Sequence, residues 1–562
     1  VLSRAVERGR LASARWYRGL LIAACVGVLT GVAVAAFDVL TADVLFEHVV
    51  TAPAWVWLLA PTLGLAVAAW SLRVLGAGAS PATSDEYVRW FHERGRRLPL
   101  RPFPGKVVGS IATLGTGGAL GYEGPAIYLG AAIGSAVQRR FTRLFSREDA
   151  KVMLVAGAAA GVAAIFRAPA TAAVYALTAP YQESSAGRAT LPALVASATS
   201  YVTFVALKGT TAPLFNVRGN PGFGFRDLAA AALVGLCSGV GARAFAWLLA
   251  RAKDVAAAVP VVPRVLAAGA CLAGLAALTN AVYDRPLALG SGYAAVAWAD
   301  PPRALGLVAL LFAVRAAASF VTLAGGGVGG TFVPLVVQGV LLGHLVGSAL
   351  GGDAATLLPL VGMAAFLGAG YRTPVAAVMF VAESTGRPGF VVPGLIATAV
   401  AQLVMGRASV SAYQQPAFAG HLERRLDMPV TAAVTTDVYC CSPATTVSEL
   451  LHVDFVAARA ESIPVVSEGR YVGMVSLDDV ADVPREQRDT VTAGTLAMHP
   501  HPVVRGDETL RAAVAAMEAS DVDRVPVLDG DTLLGVVTTG DIVGLDQVIE
   551  EAAQWPTRRS TS

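Results

Sequence analysis

One pattern occurs twice in this chain, and it restricts the fold more than any other feature of the sequence. Residues 113–130 read TLGTGGALGYEGPAIYLG, and residues 322–339 read TLAGGGVGGTFVPLVVQG. Gly118, Gly121, Pro125, Gly130 and Gly134 recur 209 positions on (334 − 125 = 209) as Gly327, Gly330, Pro334, Gly339 and Gly343. Each copy is a glycine-rich break followed by an apolar, helix-forming run. A helix that starts inside an apolar phase leaves its first N–H groups unpaired. The helix dipole adds positive potential there, so such a start is a ready anion site. Interrupted helices at matching places in the two halves of a membrane chain point to a transport site near the bilayer midplane. Only the first copy carries a carboxylate, Glu123.

Composition puts these breaks in a bilayer. Of the 562 residues, 55% are hydrophobic, and mean hydropathy is +0.59. The apolar runs lie almost entirely before residue 406. Stretches such as 19–36, 53–72, 227–250 and 303–324 are of the order of the roughly 20 residues that span a bilayer as a helix. The 58 glycines and 31 prolines suit membrane helices that pack closely and break often. A net charge of only +3 gives a nucleic-acid partner no support. Cys25, Cys237 and Cys271 lie in apolar runs. The adjacent pair Cys440–Cys441 has neither a metal spacing nor the look of a structural disulfide. No cleavable signal segment is expected, and Val1 in place of Met points to a trimmed start. Arg4, Arg8, Arg10, Arg15 and Arg18 face a single acid, Glu7, which predicts a cytoplasmic N-terminus. The basic segment Arg139 to Lys151 is expected on the same side.

A second repeat supports two related halves. Gly157 and the run Phe166-Arg-Ala-Pro169 match Gly362 and Tyr371-Arg-Thr-Pro374 at an offset of 205 (362 − 157 = 205). The membrane part is read as residues 1–413, with halves of about 16–208 and 225–405. A polar linker, 414–428, follows. Beyond it the chain turns soluble in style and carries a third repeat. Ile463-Pro-Val-Val with Gly473-Met-Val-Ser476-Leu-Asp-Asp479 parallels Val525-Pro-Val-Leu with Gly535-Val-Val-Thr538-Thr-Gly-Asp541. Each unit reads as a short helix, two Val/Ile-rich strands turning at Gly469 or Gly530, and a helix. The boundaries are 429–486 and 491–549, with a tail at 550–562. The fold class is a mostly α membrane protein, a helical bundle of two related halves with broken helices, followed by an α/β pair; the repeat is inverted if each half crosses an odd number of times.

Glycines that allow tight helix crossings, with prolines at the first helical position, explain either break alone. They do not explain a glutamate in an apolar repeat, where an ionisable group is costly and usually functional. At these residues the chain resembles the CLC family of chloride channels and proton-coupled anion antiporters, in the form with a C-terminal pair of CBS domains. The resemblance covers nearly the whole chain. Gly121-Tyr-Glu123-Gly-Pro125 matches the motif around the family's gating glutamate, and Gly330-Thr-Phe-Val-Pro334 its Gly-x-Phe-x-Pro motif. The resemblance implies an inverted-repeat homodimer with one anion pathway per subunit. Anions would be held by backbone N–H groups around Gly121, Tyr122, Glu123 and Gly124 and by those of Thr331 and Phe332. Lys106, where the family also has a lysine, would add positive potential.

Three departures matter. The family's Gly-Ser-Gly-x-Pro loop appears only as Gly76-Ala-Gly-Ala-Ser-Pro81, with Ala77 at the serine position and Ser80 near the end. The inner-gate tyrosine follows a Ser-aliphatic pair in the family; here Ser411 follows Ser409-Val410, and Tyr413 comes two residues later. The antiporters' internal proton acceptor falls on Thr178 and Ala179, so that carboxylate is lost, while the second-half counterpart Glu383 is present. Arg167 and Arg372 read as helix-end arginines satisfying carbonyls or reaching an interface rather than as anion ligands. His344 reads as a hydrogen-bonded packing residue. Ser476 with Asp479, and Thr538 with Asp541, fit a capping box; by resemblance to nucleotide-binding CBS pairs they also fit a site for phosphate and ribose.

The sequence therefore predicts an anion transport protein rather than an enzyme. Its substrate would be chloride or a similar small anion, its site helix N-termini gated by Glu123, and its regulator the CBS pair. The pathway is expected to be passive or weakly proton-coupled, with a fully coupled proton/chloride antiporter as the alternative. No cofactor is required; ATP, ADP or AMP is the candidate ligand of the CBS pair. The expected location is a prokaryotic inner membrane with the CBS domains in the cytoplasm. A membrane metalloprotease is excluded because His92-Glu93 is followed by Arg96 where a second zinc-binding histidine belongs. A divalent-cation channel, the remote alternative, needs pore carboxylates, and the membrane part has few acids at helix centres.

Overall fold

Long runs of Ala, Leu, Val and Gly, broken by Gly and Pro, fold among the described residues into seventeen α-helices before residue 406. The computed structural model describes residues 2–93, 98–141, 151–181, 189–215, 223–301, 303–351, 354–414, 426–455, 462–497, 501–520 and 522–542. The first half holds α1 (Leu2–Asp38), α2 (Glu47–Thr51), α3 (Ala54–Val74), α4 (Ser84–His92), α5 (Phe103–Gly115), α6 (Glu123–Arg140), α7 (Val152–Phe166), α8 (Pro169–Thr178) and α9 (Thr190–Lys208). The second holds α10 (Phe225–Ala258), α11 (Val261–Tyr283), α12 (Tyr293–Ala299), α13 (Leu305–Ala324), α14 (Phe332–Leu350), α15 (Ala354–Tyr371), α16 (Pro374–Thr385) and α17 (Val391–Met405). A π-helical turn, Val39–Phe46, joins α1 to α2. The side chains of the N-terminal arginines up to Arg15, most of the basic segment after Phe141, most of the 414–428 linker and the 550–562 tail lie outside the described residues.

Among the described residues, eight helical spans are long and apolar enough to cross a membrane, from Tyr17–Thr51 to Pro388–Met405. Their outward faces show why water is not their solvent. Leu21, Trp55, Leu63, Val262 and Leu403 are each at least 65% exposed. Such large apolar side chains around a bundle rim suit lipid or another apolar surface rather than water.

The two halves pack their centres alike. Helices α6 and α7 meet at Gly130 and Gly157, and a Cβ on either would strike the backbone carbonyl of the other. Their counterparts α14 and α15 meet at Gly339 and Gly362 with the same reciprocal collision. Without a hydrophobic drive between helices in lipid, close backbone contact supplies the attraction, and only glycine permits it. Arg167 after α7 and Arg372 after α15 share a left-handed backbone, φ 55° in both. Pro169 and Pro374 then open the next helix.

Residues from Phe418 on form a second compact unit. Its sheet has the order β1 (Ser462–Ser467), β2 (Arg470–Ser476), β5 (Thr532–Thr538), β4 (Arg524–Asp529), β3 (Val504–Arg505). The β1–β2 and β4–β5 hairpins share a register break, at Val465/Val466 and Val527/Leu528. They meet at the single pair Arg470↔Thr532. Glu468 and Gly469 both take positive φ, the backbone of a two-residue hairpin turn that follows the sheet twist. The described residues thus form a mostly helical membrane unit followed by an α/β unit, as the sequence predicts.

Candidate functional site

The two glycine-rich breaks come together at one point and pair. Gly121 N–H donates to the Gly330 carbonyl and Gly330 N–H to that of Gly121, each at 2.8 Å. Around this bridge three further kinds of bond have twins 209 positions away. The Thr113 hydroxyl accepts from Val328 N–H, and the Thr322 hydroxyl from Ala119 N–H, both at 3.0 Å. Gly118 N–H donates to Thr113 O and Gly327 N–H to Thr322 O. Reciprocal bonds of this kind define a local two-fold axis through the bridge, and α6 and α14 both start beside it.

Glu123 is 0% exposed. Its Oε1 accepts from Phe332 N–H at 2.7 Å, and its Oε2 is buried with no hydrogen-bond partner among the described residues. Phe332 is the first residue of α14, so the carboxylate sits where the unpaired N–H groups of that helix attract an anion. A Cβ on Gly121 or on Gly330 would overlap the carboxylate. Gly124 lies as close, because a Cβ there would come within 2.7 Å of the Gly330 backbone. Tyr122, 3% exposed, stacks on Tyr293 with ring centroids 6.4 Å apart and bonds to Ser291. It lines a cavity of about 240 Å³ together with Asp38, Asp43, Arg167 and Lys208, and Lys208 pairs with both aspartates.

The remaining predicted residues divide. Lys106 is buried on α5, where it donates to the Ala82 carbonyl at 2.5 Å and pairs with Glu86 at 3.4 Å. Its charge therefore supports the entry to α4 and is offset there. Ala77 is exposed in a left-handed backbone, φ 54°. Ser80 is exposed and donates to the Glu86 carboxylate. Ser411 is buried, and its hydroxyl has no partner among the described residues. Tyr413 is 43% exposed, with the Arg89 guanidinium 5.7 Å from its ring centre. Glu123 is fully enclosed, whereas Ala77 and Tyr413 are not. Thr178 turns its hydroxyl back to the Val174 carbonyl, and Ala179 is buried. Glu383 caps the start of α8 instead, accepting from Ala170 N–H (3.1 Å), Thr171 N–H (2.7 Å) and the Thr171 hydroxyl (2.5 Å). Arg167 donates to the Ala212 carbonyl, the helix-end role. His344 lines a second cavity of about 420 Å³ with Asp300 and Tyr293.

Sequence reasoning missed two tyrosines. The Phe332 ring lies among Phe166 (4.5 Å between centroids), Phe380 (4.8 Å), Tyr175 (5.5 Å) and Tyr371 (6.0 Å). The Tyr371 hydroxyl bonds to that of Thr331 at 2.8 Å. The available signal was Tyr371 standing at the repeat position that Phe166 fills in the first half.

In the second unit both candidate turns are closed capping boxes. Asp479 Oδ2 accepts from the Ser476 N–H (2.8 Å) and hydroxyl (2.6 Å), and Asp479 N–H donates back to Ser476 Oγ. Asp541 does the same with Thr538, at 2.9 and 2.8 Å, and its other oxygen accepts from the Thr435 hydroxyl at 3.3 Å. Cys440 and Cys441 are free thiols. Burial, helped by the charge of Asp454, pushes the Cys441 thiol up to about 11.

Comparison with known proteins fits this geometry. A family model described as the voltage gated chloride channel matches residues 64–406, and a CBS domain model matches 430–486 and 493–547. The chain is 28% identical over 424 residues to the voltage-gated ClC-type chloride channel ClcB of Salmonella typhi, covering 70% of this chain and 96% of that protein. It is 29% identical over 417 residues to ClcB of Escherichia coli strain HS, with the same coverage. Among solved structures it resembles a slow cyanobacterial Cl−/H+ antiporter, with TM-score 0.61, 22% identity, and 72% of this chain and 97% of that chain covered. It also resembles a eukaryotic CLC transporter, with TM-score 0.57, 16% identity, and coverage of 94% and 98%. At these identities the structural likeness speaks for the fold alone.

Proposed function

This chain belongs to the voltage-gated chloride channel family, and on that premise we propose that it moves chloride or a similar small anion across a membrane through the site at Glu123. One observation carries the reading: the Glu123 carboxylate, wholly buried, rests on the Phe332 N–H at the start of α14. An ionised carboxylate is itself an anion on an anion site. It holds the site while charged and leaves when protonated or displaced. The site has no full positive charge of its own, so a halide is attracted without being trapped.

The pathway is passive or weakly proton-coupled in this reading, because Thr178 and Ala179 offer no internal carboxylate. Full antiport is the second reading; the cyanobacterial neighbour is a slow Cl−/H+ antiporter, and another solved neighbour is a CLC-type fluoride/proton antiporter. The protein is taken to act as a homodimer in a prokaryotic inner membrane, with the CBS pair cytoplasmic and regulatory. An adenine nucleotide is the proposed CBS ligand, taken mainly at Thr538 and Asp541. Flux from purified protein in liposomes, with chloride and proton movement recorded together, is the test. An electrical reversal potential that follows a cation gradient instead of the anion gradient would overturn the reading.

A further inference from the structure

Two buried cations stand at matching places in the two halves. Lys106 on α5 and Arg315 on α13 lie 209 positions apart (315 − 106 = 209), as do Ser110 and Ser319, and Thr113 and Thr322. All six residues are 2% exposed or less. Each cation turns to the loop that leads into a short helix. Lys106 donates to the Ala82 carbonyl just before α4, and Arg315 donates to the carbonyls of Ala288 (2.8 Å) and Gly290 (3.0 Å) just before α12. The starts of α4 and α12, Ser84 and Tyr293, are again 209 apart.

The two copies part at the counter-charge. Glu86 pairs with Lys106 at 3.4 Å. Its repeat position (86 + 209 = 295) is Ala295, which is fully buried and carries no charge. Arg315 has no ion pair among the described residues, and its guanidinium meets only the carbonyls of the 287–290 run. Carbonyl dipoles satisfy N–H groups and leave the net charge in place. An unpaired guanidinium inside a membrane unit is costly, and a charge kept at such a cost is usually functional.

Arg315 lies directly behind the wall of the cavity of about 240 Å³ beside Tyr122. Gly292 lines that cavity, and a Cβ on it would come within 2.8 Å of the guanidinium. The same loop is fastened to the first glycine-rich break, because Gly290 N–H donates to the Gly117 carbonyl at 2.9 Å. Its Ser291 bonds to Tyr122, the neighbour of Glu123. The charges that line the cavity cancel by count, Lys208 and Arg167 against Asp38 and Asp43. Arg315 is therefore the excess positive charge at this place.

We propose that Arg315 is the fixed positive charge of the anion pathway: it draws the transported anion into the cavity beside Tyr122 and sets its affinity, while Glu86 offsets its twin Lys106. The proposal rests on the reading of Glu123 as the gate of an anion pathway. The backbone of the 287–292 loop stands between the guanidinium and the cavity. Arg315 thus acts by its field, as a positioning residue, and makes no contact with the anion. An anion attracted through a wall is held loosely enough to leave again, which conduction requires.

The test measures initial chloride efflux against internal chloride concentration in liposomes containing the full-length wild type, Arg315→Lys or Arg315→Gln. Arg315→Gln removes the charge and should raise the half-saturating chloride about tenfold, with a much smaller change in maximal flux. That is the scale of one unit charge acting across about 12 Å at the effective dielectric of a protein. Arg315→Lys keeps the charge with fewer donors and should restore most of the wild-type half-saturation. Equal losses in both variants mark a clamp on the loop only and overturn the proposal, as does an unchanged half-saturation in Arg315→Gln. If neither variant purifies as a monodisperse protein, Glu86→Gln decides. It uncovers Lys106, so half-saturating chloride should fall, and an unchanged value overturns the proposal. Wild-type liposomes without anion-selective flux would sink the Glu123 reading itself, a result distinct from wild-type flux whose half-saturation the variants do not alter.

Discussion

At the scale of single residues, Glu123 is the side chain whose removal has the clearest consequence. In Glu123→Gln the group can no longer ionise, so anion flux should lose its pH dependence. Flux recorded between pH 4.5 and 7.5 checks this, and a pH profile like the wild type's would assign the gate to another group. Glu383 shows the opposite kind of carboxylate. It sits at the repeat position that drew attention in the sequence, yet all its described bonds go to the first turn of α8. Glu383→Ala should cost about 2 kcal/mol of stability, the usual loss for charge-assisted bonds at a helix start. A fall in the thermal midpoint with Glu123-dependent flux retained is the expected pair of readings. Cys441 gives a pH prediction in the soluble unit. Its thiol ionises near 11 when folded and near 8.5 when unfolded. The folded state therefore holds this proton longer, and the stability it contributes is intact below about pH 8.5 and lost as pH rises toward 11. Alkylation at pH 8, read by mass spectrometry, should label exposed Cys440 and spare Cys441 until the unit unfolds.

At the scale of elements, the sequence was most legible where backbone geometry forces a residue type. Gly121, Gly330, Gly130 and Gly339 sit where a Cβ would meet a carboxylate or a carbonyl, so both halves keep them and the 209-residue spacing shows. The apolar runs likewise foretold α1, α3, α10 and α13, because lipid demands length and composition. What the sequence hid are contacts that cross between elements. A serine was sought within one loop by local spacing, and the structure sets Ser84, at the start of the next helix, against Tyr371. Tyr371 was visible as a repeat position, but its bond to Thr331 depends on how α15 meets α14. The capping-box reading of Ser476 and Thr538 was legible because it is local, within three residues. Gly157→Val tests the packing claim: it should separate α6 from α7 and leave little monodisperse protein on size exclusion. A well-behaved variant would show that the close approach at Gly130 is dispensable.

At the scale of the whole molecule, transport mode and nucleotide binding each have a direct test. A chloride gradient across the liposome should fail to drive protons uphill, given Thr178 and Ala179. Sustained uphill proton movement that stops in Glu123→Gln would establish antiport. Titration calorimetry of the full-length protein with ATP, ADP and AMP addresses the second unit. The expected result is one site per chain, weakened in Asp541→Ala. The absence of heat at millimolar nucleotide would leave Asp541 as a turn-closing residue, the role its bonds to Thr538 and Thr435 already fill.

The two-fold bridge at Gly121 and Gly330 has a final consequence. Adding the repeat offset to 123 gives 332, so the N–H that Glu123 grips belongs to its own symmetry mate. A duplicated frame would by itself be indifferent to direction, presenting the same face to both sides of the bilayer. One substitution between the copies, carboxylate in the first and phenyl ring in the second, gives the passage a front and a back. The pair Glu123 and Phe332 is thus one of the places where the two copies part, as Phe166 and Tyr371 are another.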